Sequence, residues 1–234
     1  MPSPANPNQI IAQNLAPVAD QLMRADTGKV YIALKPVFTA MDTAMAASPT
    51  AVDCKAGCDY CCHYHVQVSA AEAFALAEHI AGLPAAEQTA IRDRLAASVE
   101  RIGPLSHAQY HATNIPCAFL QDGRCSVYAA RPTACRGYHA VAVQACAAAF
   151  ARPEAPPMRR LDPVRDAVQK GYWSTMLLGH EHAGRDTMVY ELQAAVLAAL
   201  TNRAAFRRWK EGKVAFPEVR DRRGLRALMA EATP

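Results

Sequence analysis

Apolar residues recur at helical spacing along most of this chain, most clearly in 10–23, where Ile11, Leu15, Val18 and Leu22 fall on one face. That face predicts a first packed helix. A second run, 30–47, carries Pro36 inside it, where a missing N–H and a ring clash are expected to kink or split the helix. Ser69 followed by Glu72 forms a capping box ahead of an alanine-rich apolar run to Ile80, which predicts a sharp helix start. Residues 84–102 predict a further helix with a charged outer face. Asp162-Pro163 pairs an N-cap with a first-turn proline for a helix through about Leu178. The run 189–200 is apolar enough for a central helix, with a basic helical segment continuing to Lys210. His65-Val66-Gln67-Val68 is the one stretch that reads as extended, no alternation of period two is sustained, and no solenoid repeat is present. The fold class is therefore mainly α.

The segments where periodicity fades are those that hold cysteine. All eight cysteines fall between Cys54 and Cys146, and four of them, Cys54, Cys58, Cys61 and Cys62, lie within nine residues. A thiolate binds zinc at about 2.3 Å, so cysteines two to four residues apart on a tight loop reach one metal without a long-range fold. Gly57 frees that loop to turn. Cys62 follows Cys61 directly, and neighbouring side chains tend to diverge, which assigns it to a second metal position, to a supporting place beside the site, or to the core. Cys117, Cys125 and Cys135 form a second set in a stretch broken by Gly123, Pro132 and Gly137, and Cys146 trails it. All eight are candidate metal ligands, on irregular cysteine-rich metal-binding loops embedded in a helical domain.

With 234 residues, about half of them apolar, the chain can bury a core without disulfide staples. We expect a single domain over 1–234, with a cysteine-cluster region at 52–146 and a basic C-terminal segment at 203–234. The first residues show no basic and apolar leader pattern, and no run approaches the roughly 18 apolar residues of a membrane span. A cytoplasmic protein is expected. Thiols stay reduced there, so clustered cysteines point to metal chemistry more readily than to disulfides. The net charge of +4 does not mark a nucleic-acid binder. Between Arg203 and Arg226, however, nine basic residues stand against three acidic ones. That segment is either a solvated face or a surface for an acidic protein partner.

The spacing Cys54-x3-Cys58-x2-Cys61 also matches the triplet by which radical S-adenosylmethionine enzymes hold a 4Fe-4S cluster. Those enzymes need a series of strands for their barrel, and this chain lacks it. A tetrahedral zinc site favours two close cysteine pairs, whereas iron–sulfur clusters accept ligands scattered along the chain. The cofactor expected is an iron–sulfur cluster, of the 4Fe-4S kind, or Zn2+. Arg131 and Arg136 lie among the second cysteines as candidate cofactor-binding residues, placed either to offset thiolate charge or to cap carbonyls and pair with acids such as Asp122. Tyr128 and Tyr138 are expected to pack over the site. His63, His65 and His139 are neighbours that can replace or support a sulfur ligand. His180-Glu181-His182 is read as surface, since alternate residues on a helix point about 200° apart. A lone catalytic cysteine is not what eight clustered ones suggest.

The whole pattern, Cys-x3-Cys-x2-Cys-Cys and then Pro116-Cys117-x-Phe119-Leu120-x-x-Gly123-x-Cys125-x-Val127-Tyr128-x-x-Arg131-Pro132-x-x-Cys135-Arg136-x-Tyr138, resembles the YkgJ-like cysteine-cluster family, described as a zinc- or iron-chelating domain. The resemblance runs from Cys54 to Tyr138, and Cys146 with Phe150 is similar to an extension of longer members. Flagellin lysine N-methylases share a similar cysteine pattern. The resemblance implies a metal-binding protein with a structural, electron-transfer or accessory role. Its alternative is a metal- or cluster-dependent enzyme modifying a protein or peptide, for example by S-adenosylmethionine-dependent methylation, although no independent methyltransferase signature is present.

Overall fold

The computed structural model describes residues 6–155, 161–219 and 222–224. Asn6 accepts a hydrogen bond from the Asn8 amide and Pro7 takes the first turn, which starts α1 (Pro7–Arg24). Its apolar face lies along α8 (Pro163–His182), started in the same manner by Asp162 and Pro163. The two approach so closely that a Cβ on Gly179 would sit 2.9 Å from the Val18 side chain. Pro36 does not split α2 (Val30–Ala46). It sits on the exposed face with Ile32, so the Ile32 carbonyl that loses its donor lies on the water side.

The strand β1 (Gln67–Ser69) leads into α3 (Ala70–Ala81) through the full capping box: Ser69 Oγ accepts from Glu72 N at 3.3 Å, and Glu72 Oε2 accepts from Ser69 N at 2.9 Å. Every residue from Ala70 to Ala77 is buried, because the alanines let neighbours close in on all sides. This makes α3 the central helix. The 189–200 run is divided. Its start is β4 (Met188–Glu191), antiparallel to β1 and to β5 (Arg222–Gly224) in a sheet of order β1-β4-β5, with Val68 opposite Tyr190. The helix α9 (Leu192–Thr201) begins only after Glu191, whose carboxylate accepts from Ala194 N at 2.7 Å. Val189 and Tyr190 suit a pleated strand, and the Glu191 cap sets where it ends. The remaining helices on this side are α4 (Ala85–Ile102) and the short α5 (His107–His111).

Two segments differ in detail from expectation. His180 is fully buried rather than on the surface: Nδ1 is 2.7 Å from the Met176 carbonyl oxygen and the ring is 6.2 Å from Trp209, while His182 is exposed. Burial lowers the His180 pKa from 6.5 to about 4. The unfolded chain therefore takes up a proton that the folded chain refuses across that window, and stability falls as pH drops through it by about 3 kcal/mol. His180→Gln is expected to flatten the dependence of the urea midpoint on pH between about 6.5 and 4. An unchanged slope would place the acid lability elsewhere.

The basic C-terminal segment is partly built into the fold. Trp209 of α10 (Ala205–Lys210) is buried, Arg208 donates to the Ala215 carbonyl at 2.8 Å, and Arg222 donates to those of Pro217 and Val219 at 2.7 and 2.6 Å. Arg203, Arg207 and Lys213 stay exposed, and Arg220, Asp221 and Arg226 lie outside the described residues. No helix among the described residues is long and apolar enough to cross a membrane. The architecture is mainly helical, with the cysteine loops set into it.

Candidate metal centre

The first loop turns at Gly57, which adopts φ of 89°, and Cys58 N donates to the Lys55 carbonyl at 3.0 Å. A short 3-10 turn, Tyr60–His63, follows and carries Cys61 and Cys62. The second motif is laid directly against it: Cys117 N donates to the Cys62 carbonyl at 2.8 Å, and Ile115 N to that of His63 at 3.3 Å. Beyond Cys117 the chain forms a hairpin of β2 (Leu120–Gln121) and β3 (Arg124–Cys125). Asp122 and Gly123, with φ of 50° and 72°, make the two-residue turn, and the right-handed twist of the strands favours this left-handed pair.

Cys135 sits on α6 (Thr133–Gly137), held from two sides. Glu72 Oε1 accepts from Thr133 N at 2.8 Å and from Thr133 Oγ1 at 2.7 Å, joining the start of α6 to the start of α3. On the other side a Cβ at Gly137 would fall 1.9 Å from Gln169 Cγ, so only glycine lets α6 meet α8. Cys146 is buried on α7 (Val143–Ala151), whose Phe150 ring packs 5.6 Å from Tyr60 and 4.9 Å from His63. The carbonyl of His139 accepts from Asp162 N at 3.4 Å, and Ser48 Oγ donates to Asp162 Oδ2 at 2.7 Å. These bonds fasten the end of the cysteine region to the head of α8.

Four half-buried thiols gather where the two loops meet. Cys62, Cys117, Cys125 and Cys135 are so placed that every pair among them interacts electrostatically. Burial first, then the neighbouring sulfurs, push the Cys117 thiol up to about 12 and that of Cys135 well above its ordinary value. Cys125 is raised by burial, with Arg131 pulling the other way. Cys62 is lowered by its hydrogen bond with Cys61, whose own thiol is raised by that bond and by burial. The two adjacent thiols thus interact with each other. Cys54, Cys58 and Cys61 lie beside the quartet: Cys58 and Cys61 both feel Cys54, and Cys61 also feels Cys135. Cys54 Sγ accepts from Ala140 N at 3.2 Å.

This donor set fits a metal. Four mutually repelling sulfurs with one guanidinium to offset them remain protonated unless a cation takes the protons' place, which is how a metal couples to thiol ionisation. No three of the eight sulfurs lie within 4.8 Å of one another. Thiolates on one tetrahedral zinc would be about 3.8 Å apart, given a Zn–S bond of about 2.3 Å.

The arginines turn toward α2. Arg136 Nη1 donates to Asp42 Oδ2 at 2.6 Å and Nη2 to the Ala129 carbonyl, with the guanidinium 4.4 Å over the Phe38 ring. Arg131 lies 3.8 Å over the Tyr128 ring, donates to the Tyr128 carbonyl at 3.2 Å and approaches Asp42 at 3.5 Å. Asp42, rather than Asp122, is their acid. Tyr128 is 62 % exposed and serves as the platform for Arg131, while the Tyr138 ring packs 5.9 Å from Tyr64. His63 Nδ1 is 3.1 Å from the Asp59 carbonyl oxygen, His139 is lowered chiefly by burial, and His65 turns away to α5. Sequence reasoning missed the second role of Glu72, for which Thr133 gives no local signal, and His107 with His111, whose spacing of four on one helix face was the available sign.

Fold and site together define a cysteine-rich chelating region mounted on helices. Residues 53–155 match the CxxCxxCC family model, described as a "putative zinc- or iron-chelating domain", the cysteine-cluster family that the motif resembles. No curated protein and no solved structure matches the chain.

Proposed function

We propose that this chain is a cytosolic iron–sulfur protein in which Cys62, Cys117, Cys125 and Cys135 close the principal centre and Cys54, Cys58 and Cys61 serve an outer position. Its role is structural or electron-transferring. The observation that carries the reading is the half-buried quartet, in which each thiol is near enough to the other three for their charges to interact. Sulfurs spaced more widely than one zinc ion requires favour a multi-iron cluster, whose ligands sit on different iron atoms. Full thiolate closure leaves no coordination position for a substrate, which favours electron transfer over catalysis. The enzymatic alternative asks for an open metal facing a pocket. A cavity of 460 Å³ does lie nearby, between α4, α5 and α9, but no cysteine lines it. A cytosolic setting keeps such thiols reduced and ready for metal. The exposed Arg203, Arg207 and Lys213 offer a small basic surface to an acidic protein partner.

Anaerobic purification from iron-replete cells, followed by iron, zinc and acid-labile sulfide analysis with EPR and Mössbauer spectroscopy, tests this. Iron and sulfide in equal amounts, with a paramagnetic signal on one-electron reduction or oxidation, is the expected result. Stoichiometric zinc without sulfide under those conditions would overturn the cluster.

A further inference from the structure

Away from the thiols, three imidazoles converge. His107 and His111 stand four residues apart on α5 and so share a face, with their Nε2 atoms 3.0 Å apart. His65, from the segment before β1, places its ring 5.1 Å from that of His107 and 4.6 Å from that of His111. One nitrogen from each of the three lies within 4.8 Å of the others, and no other such group of histidine, cysteine or carboxylate donors occurs among the described residues. Imidazoles sharing a tetrahedral zinc at about 2.0–2.1 Å have nitrogens about 3.4 Å apart, which falls between the 3.0 Å of the His107–His111 pair and the 4.8 Å within which all three lie.

The surroundings suit a cation on one side and oppose it on the other. Tyr110, whose ring is 4.7 Å from His65, donates to the buried Glu191 Oε1 at 3.1 Å, and Glu191 and His65 are close enough for their charges to interact. A carboxylate behind a histidine ligand is the usual outer support of a zinc site. Arg223 Nη2, by contrast, lies 2.5 Å from His107 Nε2 and must swing aside for a metal to enter. His107, Tyr110 and Glu191 also line the 460 Å³ cavity, together with the apolar Val99, Ile102 and Leu197.

We propose that His65, His107 and His111 form a second metal site, for a divalent ion of the Zn2+ class, at the rim of this cavity. Three histidines leave a fourth position for water or for an oxygen-bearing ligand, the arrangement of catalytic rather than closed structural zinc. Imidazole nitrogens are harder donors than the thiolates, so the two sites sort different metals. The proposal stands apart from the identity of the thiolate centre, because no cysteine takes part in it.

The test is a Co2+ titration of the untagged full chain, isolated anaerobically with its thiolate centre filled. One further equivalent should bind with visible d–d absorption and without thiolate-to-cobalt charge transfer, which separates this site from the cysteines. His111→Gln, at an exposed position, and His107→Gln should weaken that equivalent by at least about 10–100-fold, the loss that even an outer-shell partner causes. His182→Gln, exposed on another helix, should leave it intact. Circular dichroism and the thermal midpoint check that each variant folds, and paramagnetic broadening of histidine NMR signals in the parent chain reports the ligands without any substitution. Absence of the further equivalent, charge-transfer absorption on its binding, equal affinity in His111→Gln and His182→Gln, or sharp signals from all three histidines would overturn the site.

Discussion

Cys62→Ser is expected to empty the principal centre and to release both cysteine loops. Cys62 is the one residue of the first loop in the quartet, and its carbonyl also receives the Cys117 amide. The 52–66 loop buries none of its residues fully and the 114–139 stretch is anchored through Ile115, Phe119 and Val127, so bonds to metal supply much of what orders the cysteine turns between those anchors. In small structural zinc domains that contribution is about 10–16 kcal/mol, and part of it is forfeited when one of four thiolates becomes a neutral hydroxyl. Limited proteolysis should then cut within both stretches while the helices from Pro163 to Lys210 stay protected, and bound metal should fall toward zero. Chelation of the parent protein should give the same cleavage pattern. Cys146→Ser is the comparison: buried on α7, it is expected to cost about 1 kcal/mol of stability with unchanged metal content, the scale of a modest core change. If Cys146→Ser loses more metal than Cys62→Ser, coordination runs through α7 and the quartet is wrong.

That contrast shows where local sequence logic stopped. Helix starts were legible because their causes are local: Ser69 and Glu72 each accept from the other's amide, and Asp162 accepts from the Arg165 amide while Pro163 takes the first turn, all within three residues. The hairpin that brings Cys125 back toward Cys117 went unread, although its turn pair Asp122-Gly123 is itself a local sign. Met188–Glu191 was not legible as a strand, since a short apolar run reads alike as buried helix or strand until its partners β1 and β5 are in place. For the site, spacing along the chain pointed to the cysteine region that the family model also matches, residues 53–155. It favoured Cys54, Cys58 and Cys61 on one centre, joined by at least one of Cys117, Cys125 and Cys135, because close spacing suggests a shared metal. The 3-10 turn at Tyr60–His63 also sets Cys62 near three sulfurs more than fifty residues away, and backbone bonds from Cys117 and Ile115 join the two loops there.

Glu72→Ala is expected to be among the most damaging changes outside the cysteines. The carboxylate is wholly buried and accepts four hydrogen bonds: from Ser69 N and Oγ, both at 2.9 Å, and from Thr133 N and Oγ1 at 2.8 and 2.7 Å. The two hydroxyls can turn to other acceptors, but the two amides cannot, and each buried donor left unpaired costs about 1–3 kcal/mol. A total loss of about 3–5 kcal/mol follows, comparable to breaking a buried charged network. The effect reaches the metal because Thr133 opens α6 and Cys135 is two residues further on. A second consequence runs the other way: the Glu72 charge raises the Cys135 thiol, so its removal by itself eases thiolate formation. Glu72 is the last of the causes acting on Cys135, behind burial and three sulfurs, so the loss of position outweighs the relief of charge. Glu72→Gln keeps one acceptor and should fall between the parent and Glu72→Ala in both urea midpoint and metal retention against a chelator. If Glu72→Ala unfolds within about 1 kcal/mol of the parent and holds its metal equally well, α6 is positioned by Gly137 against α8 and by the metal itself, and the link between α3 and α6 is dispensable.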